Sequence, residues 1–534
     1  MSEANPMTRD FHRPGRSAVY ACDGMVATSH PLASLAAVET LRAGGSAADA
    51  AVAAVALLSV IEPHMTGIGG DCFCLVAQPG RPVWGYNGSG RSGAAMSLER
   101  MQAEGLAGAI PEDSIHAVTV PGAIDAWDAL LRAHGRLGLE RALAPAVRAA
   151  QDGYAVAPRI AHDWRLAADR LRRDPAAARH FLPSGPAPGE GDVVRLPALA
   201  ATLSRIAREG RDAFYSGEVA ADLVGTVRTR GGLLTEDDLA AHHGEAVDPI
   251  STNYRGLDIV ELPPNGQGLA ALLLLNILQQ FDMSSLDPAG AERLHILLEA
   301  GRMAYAVRNT HLAEPSAMRA SVPALLDRAF AAELADRLDP FRRVAVPPAP
   351  GPRGDTTLVT VVDRDRQAVA LINSLFVPFG AAIATEKTGI MLHNRGMSFA
   401  LDPGHPNCAG PRKRPMHTII PALALRDGRC EMAFGVMGGS YQAMGHAHFI
   451  SNLVDHGLDL QAAIDMPRVF FEGETTVVER GVSADAIAGL RDRGHDVTLR
   501  ALPLGAAQAV RIDWERGVLI GASDGRKDGC ALGY

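Results

Sequence analysis

The stretch that decides the fold is GDTTLVTVVD at residues 354–363, followed by AVALINS at residues 368–374. Both runs are rich in β-branched and apolar residues, which predicts strands, and the polar Arg-Asp-Arg between them predicts a turn. If the hairpin is regular and centred on Asp365, Thr356 lies opposite Ser374. Directly opposed residues have Cβ atoms roughly 5 Å apart. The pattern therefore predicts that these two hydroxyl groups face each other.

Thr356 also has the chemistry of a self-activating nucleophile. A threonine at the N-terminus of a chain carries its own general base, because the free α-amine accepts the proton of the hydroxyl group. Since Thr356 lies in mid-chain, this chemistry requires the chain to cut itself between Asp355 and Thr356. Residues 347–354 are rich in proline and glycine, which predicts a flexible loop able to adopt a strained cleavage geometry. The alternative is an ordinary threonine-rich strand.

The composition describes a globular protein without a charge pattern for nucleic acid. Of its 534 residues, 47% are hydrophobic and 21% are charged, which is typical of folded domains. The net charge of -9 gives no electrostatic reason to bind nucleic acid. Residues 1–20 lack the apolar segment of a signal peptide, and the apolar run at 47–61 is too short to span a bilayer. We therefore expect a cytoplasmic protein with no membrane partner.

The cysteine pattern gives no indication of a metal site. Cys72 and Cys74 alternate on a predicted strand and therefore share a face, but no second pair and no histidine at ligand spacing accompanies them. We expect buried free thiols, with no metal and no cofactor. The glycine-rich residues 67–71 superficially resemble a phosphate-binding loop. They lack its Lys-Ser/Thr and precede a strand, so they predict a tight turn.

The rest of the chain is predicted to be helical first and strand-rich later. Residues 123–245 are predicted to be largely helical, with a loop at 183–191, and short strands follow residue 354. Ser46 is expected to cap the second helix. The predicted helices are residues 31–41, 46–61, 123–133, 139–153, 196–209, 268–281 and 289–306.

Several separated motifs share one family likeness. They are MVAT at 25–28, GGSAADAA at 44–51, TVPG at 119–122, PPNGQG at 263–268, TTLVTVVD at 356–363, GGS at 438–440, GASD at 521–524 and the terminal GY at 533–534. In their order and coverage they resemble the γ-glutamyltransferase family of N-terminal-nucleophile hydrolases. The resemblance implies an α+β fold, a four-layer αββα sandwich. It also implies self-cleavage into residues 1–355 and 356–534, which stay together.

The resemblance also implies roles in the reaction. Thr356 would be the nucleophile in both self-cleavage and catalysis, and Ser374 takes the place of a second hydroxyl residue that hydrogen-bonds it. Gly438 and Gly439 would offer backbone N–H groups to the oxyanion of the tetrahedral intermediate. Glycine lets the backbone approach the reacting carbon, and each such donor contributes about 3 kcal/mol to transition-state stabilisation.

The substrate-binding positions depart from those of γ-glutamyl enzymes. Such enzymes hold the α-carboxylate and α-amine of the substrate with an arginine, an asparagine, a Gln-x-x-Asp pair and a Ser-Ser pair. Aligned through the nucleophile, these positions hold Ser89 (with Arg91 nearby), Phe376, Arg395 with Ser398, and His417-Thr418. A site for an ammonium group needs a carboxylate, which a serine beside an arginine does not supply. The candidate substrate-binding residues are Arg395, Arg91, His417, Thr418 and Asn373.

Other roles for these residues stay open. Arg395 and Arg91 could each form a structural salt bridge, and His417 could serve packing or hydrogen bonding. The segment between Phe399 and Lys413 is shorter than the lid of bacterial transpeptidases, which predicts a cleft more open to water.

The pattern resembles a divergent branch that includes glutathione-hydrolase-like enzymes, glutaryl-type cephalosporin acylases and oxamate amidohydrolase. It implies a self-processing amidohydrolase that cleaves a small carboxylated acyl amide, with water as the acceptor. Arg395, with Arg91 as a second candidate, would bind the carboxylate of the acyl group. Two alternatives remain: a γ-glutamyl hydrolase or transferase with rearranged contacts, and an uncleaved, inactive scaffold. The expected assembly is a heterodimer of the two fragments, and further association stays open.

Overall fold

The computed structural model describes residues 15–347 and 354–534. Most of its strands fall into two large sheets. The strands are β1 (Val19–Ala21), β2 (Met25–Thr28), β3 (Asp71–Ala77), β4 (Trp84–Gly88), β5 (Tyr154–Ala155), β6 (Val193–Val194), β7 (Glu245–Val247), β8 (Ile250–Tyr254), β9 (Leu257–Glu261), β10 (Asp355–Val362), β11 (Ala368–Phe376), β12 (Ala422–Arg426), β13 (Arg429–Val436), β14 (Val469–Glu472), β15 (Thr475–Val478), β16 (Asp496–Leu499), β17 (Ala507–Asp513), β18 (Val518–Ser523) and β19 (Cys530–Gly533).

Most of the helices lie before residue 340, and they flank the sheets. They are α1 (Pro31–Arg42), α2 (Ala47–Ile61), α3 (Leu98–Ala103), α4 (Ala123–His134), α5 (Gly138–Asp152), α6 (Pro158–Leu171), α7 (Pro175–Phe181), α8 (Pro197–Glu209), α9 (Asp212–Tyr215), α10 (Gly217–Thr229), α11 (Glu236–Ala240), α12 (Gly268–Leu278), α13 (Ala291–His311), α14 (Val322–Leu325), α15 (Arg328–Asp336), α16 (Gln442–Val454), α17 (Leu460–Asp465) and α18 (Ala484–Asp492).

Two seven-stranded antiparallel sheets form the centre of the molecule. One has the order β1-β18-β17-β13-β12-β9-β8, and the other has the order β19-β2-β10-β11-β3-β4-β7. The hairpin of β10 and β11 therefore lies in the middle of its sheet. Its strands are almost continuously apolar because both faces of a central strand are buried.

Alternate side chains of this hairpin face different layers. Val359 and Leu371 pack against the helical layer that contains α1, α2, α4 and α5. Leu358 and Ile372 pack between the two sheets, together with Phe73 of β3 and Val510 of β17. A second helical layer with α12, α13 and α16 covers the other sheet. The order is helix, sheet, sheet, helix, which confirms the predicted αββα sandwich.

The predicted helices and turns are present, with shifted ends. Ser46 caps α2 through a capping box with Asp49, as expected. The glycine-rich loop is a tight turn, in which the Gly70 N–H donates to the Gly67 carbonyl at 3.1 Å. The predicted helix over 289–306 continues to His311, because its apolar face keeps packing against the core.

The predicted burial is correct for three of the six cysteines, whereas Cys408 and Cys530 are half-buried. All six cysteines are free, and Cys72, Cys74 and Cys430 are buried, whereas Cys22 is exposed in the turn before β2. Among the described helices, none combines the length and apolar character that a membrane-spanning segment requires. The cytoplasmic location stays a prediction.

Candidate active site

The start of β10 brings two hydroxyl groups together. The hairpin pairs Thr357 with Asn373, the register expected for a turn centred on Asp365, but the pairing becomes irregular towards the start of the strand. Despite that irregularity, the buried Thr356 donates a hydrogen bond from Oγ1 to Ser374 Oγ at 3.3 Å. The predicted proximity of the two hydroxyl groups is therefore confirmed. The Pro/Gly run predicted to be flexible lies, for residues 348–353, outside the described residues.

A Gly-Gly loop follows β13 and begins the short 3-10 helix Gly439–Tyr441. Gly438 and Gly439 have φ values of 116° and 57°, which favour glycine. At Gly438 a side chain would also collide with the neighbouring loop, since its Cβ would lie 2.9 Å from Gly505 Cα. Only glycine therefore suits this position beside Gly505.

The carbonyl groups of this loop are all occupied by hydrogen bonds. Gly438 O accepts from the Tyr441 N–H at 3.0 Å, and Gly439 O accepts from Gln267 Nε2 at 2.9 Å. The Tyr305 hydroxyl donates to the carbonyl of the next residue, Ser440. Fixed carbonyls hold the intervening peptide groups in one orientation. Such a loop can present its N–H groups to a developing oxyanion.

One residue that the sequence pattern did not predict contacts the Thr356 hydroxyl group. Gln442, the first residue of α16, is buried and donates from Nε2 to Thr356 Oγ1 at 3.3 Å. Its Oε1 accepts a hydrogen bond from the Ile420 N–H at 3.0 Å. A polar residue directly after the Gly-Gly loop was the available signal, because a helix that starts at this loop points its first side chains towards the same centre.

The next feature is a buried cluster of Arg395, Phe376 and Thr418, which we call the acyl pocket after its predicted role. Arg395 is fully buried and donates from Nη1 to Thr418 Oγ1 at 3.0 Å. Its guanidinium carbon lies 3.8 Å from the centre of the Phe376 ring, a cation–π contact. Burial lowers the pKa of Arg395 to about 9, and nearby Asp71 opposes this shift. Within the described residues, Arg395 Nε and Nη2 have no hydrogen-bond acceptor.

Asp71, which sequence analysis treated only as the end of a turn, lies beside this pocket on the strand next to Ser374. Its Oδ1 accepts from the Gly90 N–H at 3.0 Å and the Gly122 N–H at 3.2 Å. Its Oδ2 lies 3.1 Å from His417 Nε2 and 3.5 Å from His393 Nδ1. Burial alone would raise the pKa of Asp71, but His393, His417 and Arg395 hold it well below its usual range.

The predicted residue His417 is tied into this network. Its Nδ1 accepts from the Ile419 N–H at 3.2 Å, so the ring proton of the neutral form lies on Nε2, which faces Asp71. Burial, followed by the charge of Arg395, lowers the pKa of His417 to about 3. Both ring nitrogens have protein partners, which favours the hydrogen-bonding role over direct substrate contact.

Two other predicted substrate-binding residues have partners elsewhere. Arg91 forms ion pairs with Glu245, at 3.0 Å, and with Glu314. Asn373 donates to Thr66 Oγ1 at 2.7 Å and accepts from Trp127 Nε1 at 3.2 Å. The structure does not bring either side chain into hydrogen-bonding contact with Thr356 or the acyl pocket, and their substrate roles stay predictions.

A cavity of about 300 Å³ opens beside the Gly-Gly loop. Gly354, just before the proposed cleavage site, and Gly438 of the Gly-Gly loop both line it. Its wall also contains Arg159, Arg170 and Lys527. In the part of the chain that the structure describes, no group of three or more His, Cys, Asp or Glu side chains is arranged to hold a metal ion.

Two antiparallel sheets between helical layers, with a threonine at the start of a central strand, define the class of N-terminal-nucleophile hydrolases. The family described as Gamma-glutamyltranspeptidase matches residues 33–534. The chain belongs to that family and is a γ-glutamyltransferase-like enzyme of the amidohydrolase type.

Relatives and solved structures match along nearly the whole chain. The glutathione hydrolase-like YwrD proenzyme of Bacillus subtilis is 38% identical over 95% of this chain and 98% of its own length. The oxamate amidohydrolase proenzyme of Klebsiella pneumoniae is 36% identical over 96% of this chain and 98% of its own. The crystal structure of a cephalosporin acylase from Bacillus halodurans has a TM-score of 0.93 and 38% identity, covering 100% of this chain and 99% of its own.

Proposed function

We propose that the protein cleaves itself between Asp355 and Thr356 and then hydrolyses a small carboxylated acyl amide, of the glutaryl or oxamate kind, through an acyl-enzyme. The two fragments would be residues 1–355 and 356–534. They would stay together because each sheet interleaves strands of both. For example, β10 of the small fragment lies between β2 of the large fragment and β11 of the small one.

The chemistry follows from the groups at the reaction centre, which we define as Thr356, Ser374, Gly438 and Gly439. After cleavage, the Thr356 α-amine takes the proton of Oγ1 as Oγ1 attacks the amide carbonyl. The Gly438 and Gly439 N–H groups stabilise the resulting oxyanion. The amine leaves with the proton, and water then hydrolyses the ester. Ser374, 3.3 Å from Thr356 Oγ1, orients the attacking hydroxyl group.

One observation carries the choice of substrate: the free edge of the Arg395 guanidinium group. Thr418 holds Nη1, while Nε and Nη2 have no acceptor within the described residues. Nε–H and Nη2–H lie on the same edge of a guanidinium group and match the two oxygens of a carboxylate. A buried guanidinium with two unused donors is costly unless a ligand satisfies them.

The surroundings also argue against a bound ammonium group. Asp71 is the acid that influences the pKa of Arg395, and two backbone N–H groups and two histidines already surround it. At the position where γ-glutamyl enzymes carry an aspartate, this chain has Ser398, whose hydroxyl group is uncharged. The pocket therefore favours an acyl group with a carboxylate and no α-amine.

The relatives fit this proposal and its main alternative. The names oxamate amidohydrolase and cephalosporin acylase agree with a carboxylated acyl amide, whereas glutathione hydrolase-like agrees with a γ-glutamyl substrate. The shortened segment between Phe399 and Lys413 is expected to favour water over an amine acceptor.

A series of anilides that share one leaving group tests the proposal. Glutaryl and γ-glutamyl anilides differ only by the α-amine, and butyryl anilide lacks the carboxylate of the glutaryl compound. With the processed protein, we expect kcat/KM to be highest for the glutaryl compound or for oxamate, assayed by ammonia release. Fastest turnover of the γ-glutamyl compound would establish the alternative. A purified chain that is neither cleaved nor active would establish the scaffold.

A further inference from the structure

The side chain of Gln442 contacts the oxygen that performs the reaction. Gln442 is buried at the start of α16, with Nε2 at 3.3 Å from Thr356 Oγ1 and Oε1 at 3.0 Å from the Ile420 nitrogen. A backbone N–H can only donate, so the amide oxygen of Gln442 must face Ile420. The NH₂ group must therefore face Thr356, and it acts there as a donor.

The neighbouring hydrogen bonds have a consistent direction. Ser374 Oγ accepts from the Phe376 N–H at 2.9 Å and from Thr356 Oγ1 at 3.3 Å. Thr356 thus donates to Ser374 and accepts from Gln442. Gln267 is a useful contrast, because its Nε2 donates to the carbonyl groups of Thr418 and Gly439 and orients the loop without touching the nucleophile.

We propose that Gln442 is a catalytic residue that stabilises Thr356 Oγ1 when this oxygen leaves the acyl-enzyme. The inference rests on the proposed self-cleavage and Thr-nucleophile chemistry. In ester hydrolysis, the α-amine takes a proton from water while the water oxygen bonds to the acyl carbon. The bond from that carbon to Oγ1 then breaks, and Oγ1 regains a proton from the α-ammonium group.

Negative charge gathers on Oγ1 during that last step, before the proton arrives. A donor already directed at Oγ1 stabilises this charge without reorganisation. The N–H groups of the Gly-Gly loop cannot replace the Gln442 donor, because they bind the carbonyl oxygen of the acyl group and not Oγ1. Gln442 therefore matters most for the release of the acyl group from the ester.

Each precursor molecule also undergoes hydrolysis of a Thr356 ester once, during self-cleavage. Self-cleavage begins when Thr356 Oγ1 attacks the Asp355 carbonyl carbon, the peptide C–N bond breaks, and an ester with a free α-amine forms. Water then hydrolyses this ester to release the two fragments. Loss of the Gln442 donor should slow the second stage and let the ester accumulate. The inference can therefore be tested without knowing the substrate.

The experiment compares wild type, Gln442→Glu, Gln442→Met and the control Gln279→Glu. Gln279 is a half-buried glutamine at the end of α12 whose Nε2 donates to the Asn253 carbonyl, so its variant introduces the same charge away from Thr356. The conversion of purified precursor is followed on gels, with and without neutral hydroxylamine, which cleaves esters and spares amides. Melting temperatures verify folding.

We expect the precursors of both Gln442 variants to convert into two fragments about tenfold to a hundredfold more slowly than the wild-type precursor. Hydroxylamine should release the fragments rapidly from the accumulated ester. Wild type and Gln279→Glu should accumulate none. For Gln442→Glu, the rate relative to wild type should recover as the pH falls and the introduced carboxyl group gains a proton to donate. A merely structural role would slow conversion without letting the hydroxylamine-sensitive ester accumulate.

The outcomes separate the two proposals. A wild-type chain that never cleaves would overturn the proposed function itself. If wild type cleaves and the folded Gln442 variants convert at the same rate, or more slowly with no hydroxylamine-sensitive ester, the role of Gln442 is overturned.

Discussion

The reaction centre is made of hydroxyl and main-chain groups, whereas the acyl pocket is organised around buried charge. Thr356 and Ser374 belong to one hairpin and meet across neighbouring strands. Arg395, by contrast, lies in the short helix Arg395–Ser398 and meets Phe376 at the end of β11 and Thr418 of a third segment, with Asp71 of β3 nearby. In the proposed mechanism, the centre would attack any amide that reaches it. Under the proposed function, the charges of the pocket, and not the nucleophile, would select the substrate.

The two buried charges also differ from each other. Asp71 has two backbone donors and two histidines around its carboxylate, so its charge is satisfied within the protein. Arg395 has one hydroxyl acceptor and one aromatic face, and two of its donors have no acceptor among the described residues. A satisfied charge supports the structure, while an unsatisfied one is available to a ligand.

The most severe way to break the reaction centre is Thr356→Ala. It removes the nucleophile of both self-cleavage and catalysis, so the variant should remain one chain and show no amidase activity. Thr356→Ser is the matched control, since it keeps a hydroxyl group. Gels of purified protein measure the cleavage, and N-terminal sequencing of the smaller wild-type fragment should begin Thr-Thr-Leu-Val. A fully active, uncleaved wild type would contradict the mechanism.

Arg395→Gln tests the pocket while leaving the centre intact. Loss of a buried, charged hydrogen-bonding group costs about 1.5–3 kcal/mol. We therefore expect kcat/KM for the glutaryl anilide to fall about tenfold to a hundredfold. Turnover of the butyryl anilide and self-cleavage should stay close to wild type, because neither uses the guanidinium group. If γ-glutamyl compounds are the best substrates and Arg395→Gln leaves their kinetics unchanged, the pocket is wrongly assigned.

The pH dependence of kcat/KM gives a second test of whether Arg395 binds the carboxylate of the substrate. Burial lowers the pKa of Arg395 to about 9, so the guanidinium group is charged below that pH and loses its charge above it. For the glutaryl anilide, kcat/KM should therefore fall as the pH rises through this pKa and level off at the loss expected for Arg395→Gln, about tenfold to a hundredfold. This alkaline limb should be absent for the butyryl anilide and in Arg395→Gln. The same limb with every substrate would assign it to another group.

The sequence predicted the reaction centre better than the pocket, for a physical reason. A hairpin centred on Asp365 places Thr356 near Ser374 through local strand geometry, and the structure keeps their hydroxyl groups in contact although the pairing is irregular there. Asp71 is different, because its closeness to Arg395 depends on the order of strands in the sheet. Gln442 depends in turn on how α16 leaves the Gly-Gly loop. Contacts of this kind come from packing between distant segments, which periodicity does not encode.

The smallest expected effect is that of Arg91→Gln, which asks whether a second arginine shares the substrate carboxylate. Arg91 is 34% exposed and pairs with Glu245 and Glu314. Surface ion pairs of this kind contribute about 0–1 kcal/mol, so kcat/KM for the glutaryl anilide should change by less than about fivefold. The melting temperature should fall only slightly. A loss as large as that of Arg395→Gln, absent with butyryl anilide, would instead place the substrate carboxylate at Arg91. Arg395 would then be a structural cation, and the contrast between the pocket's two charges would no longer identify the ligand site.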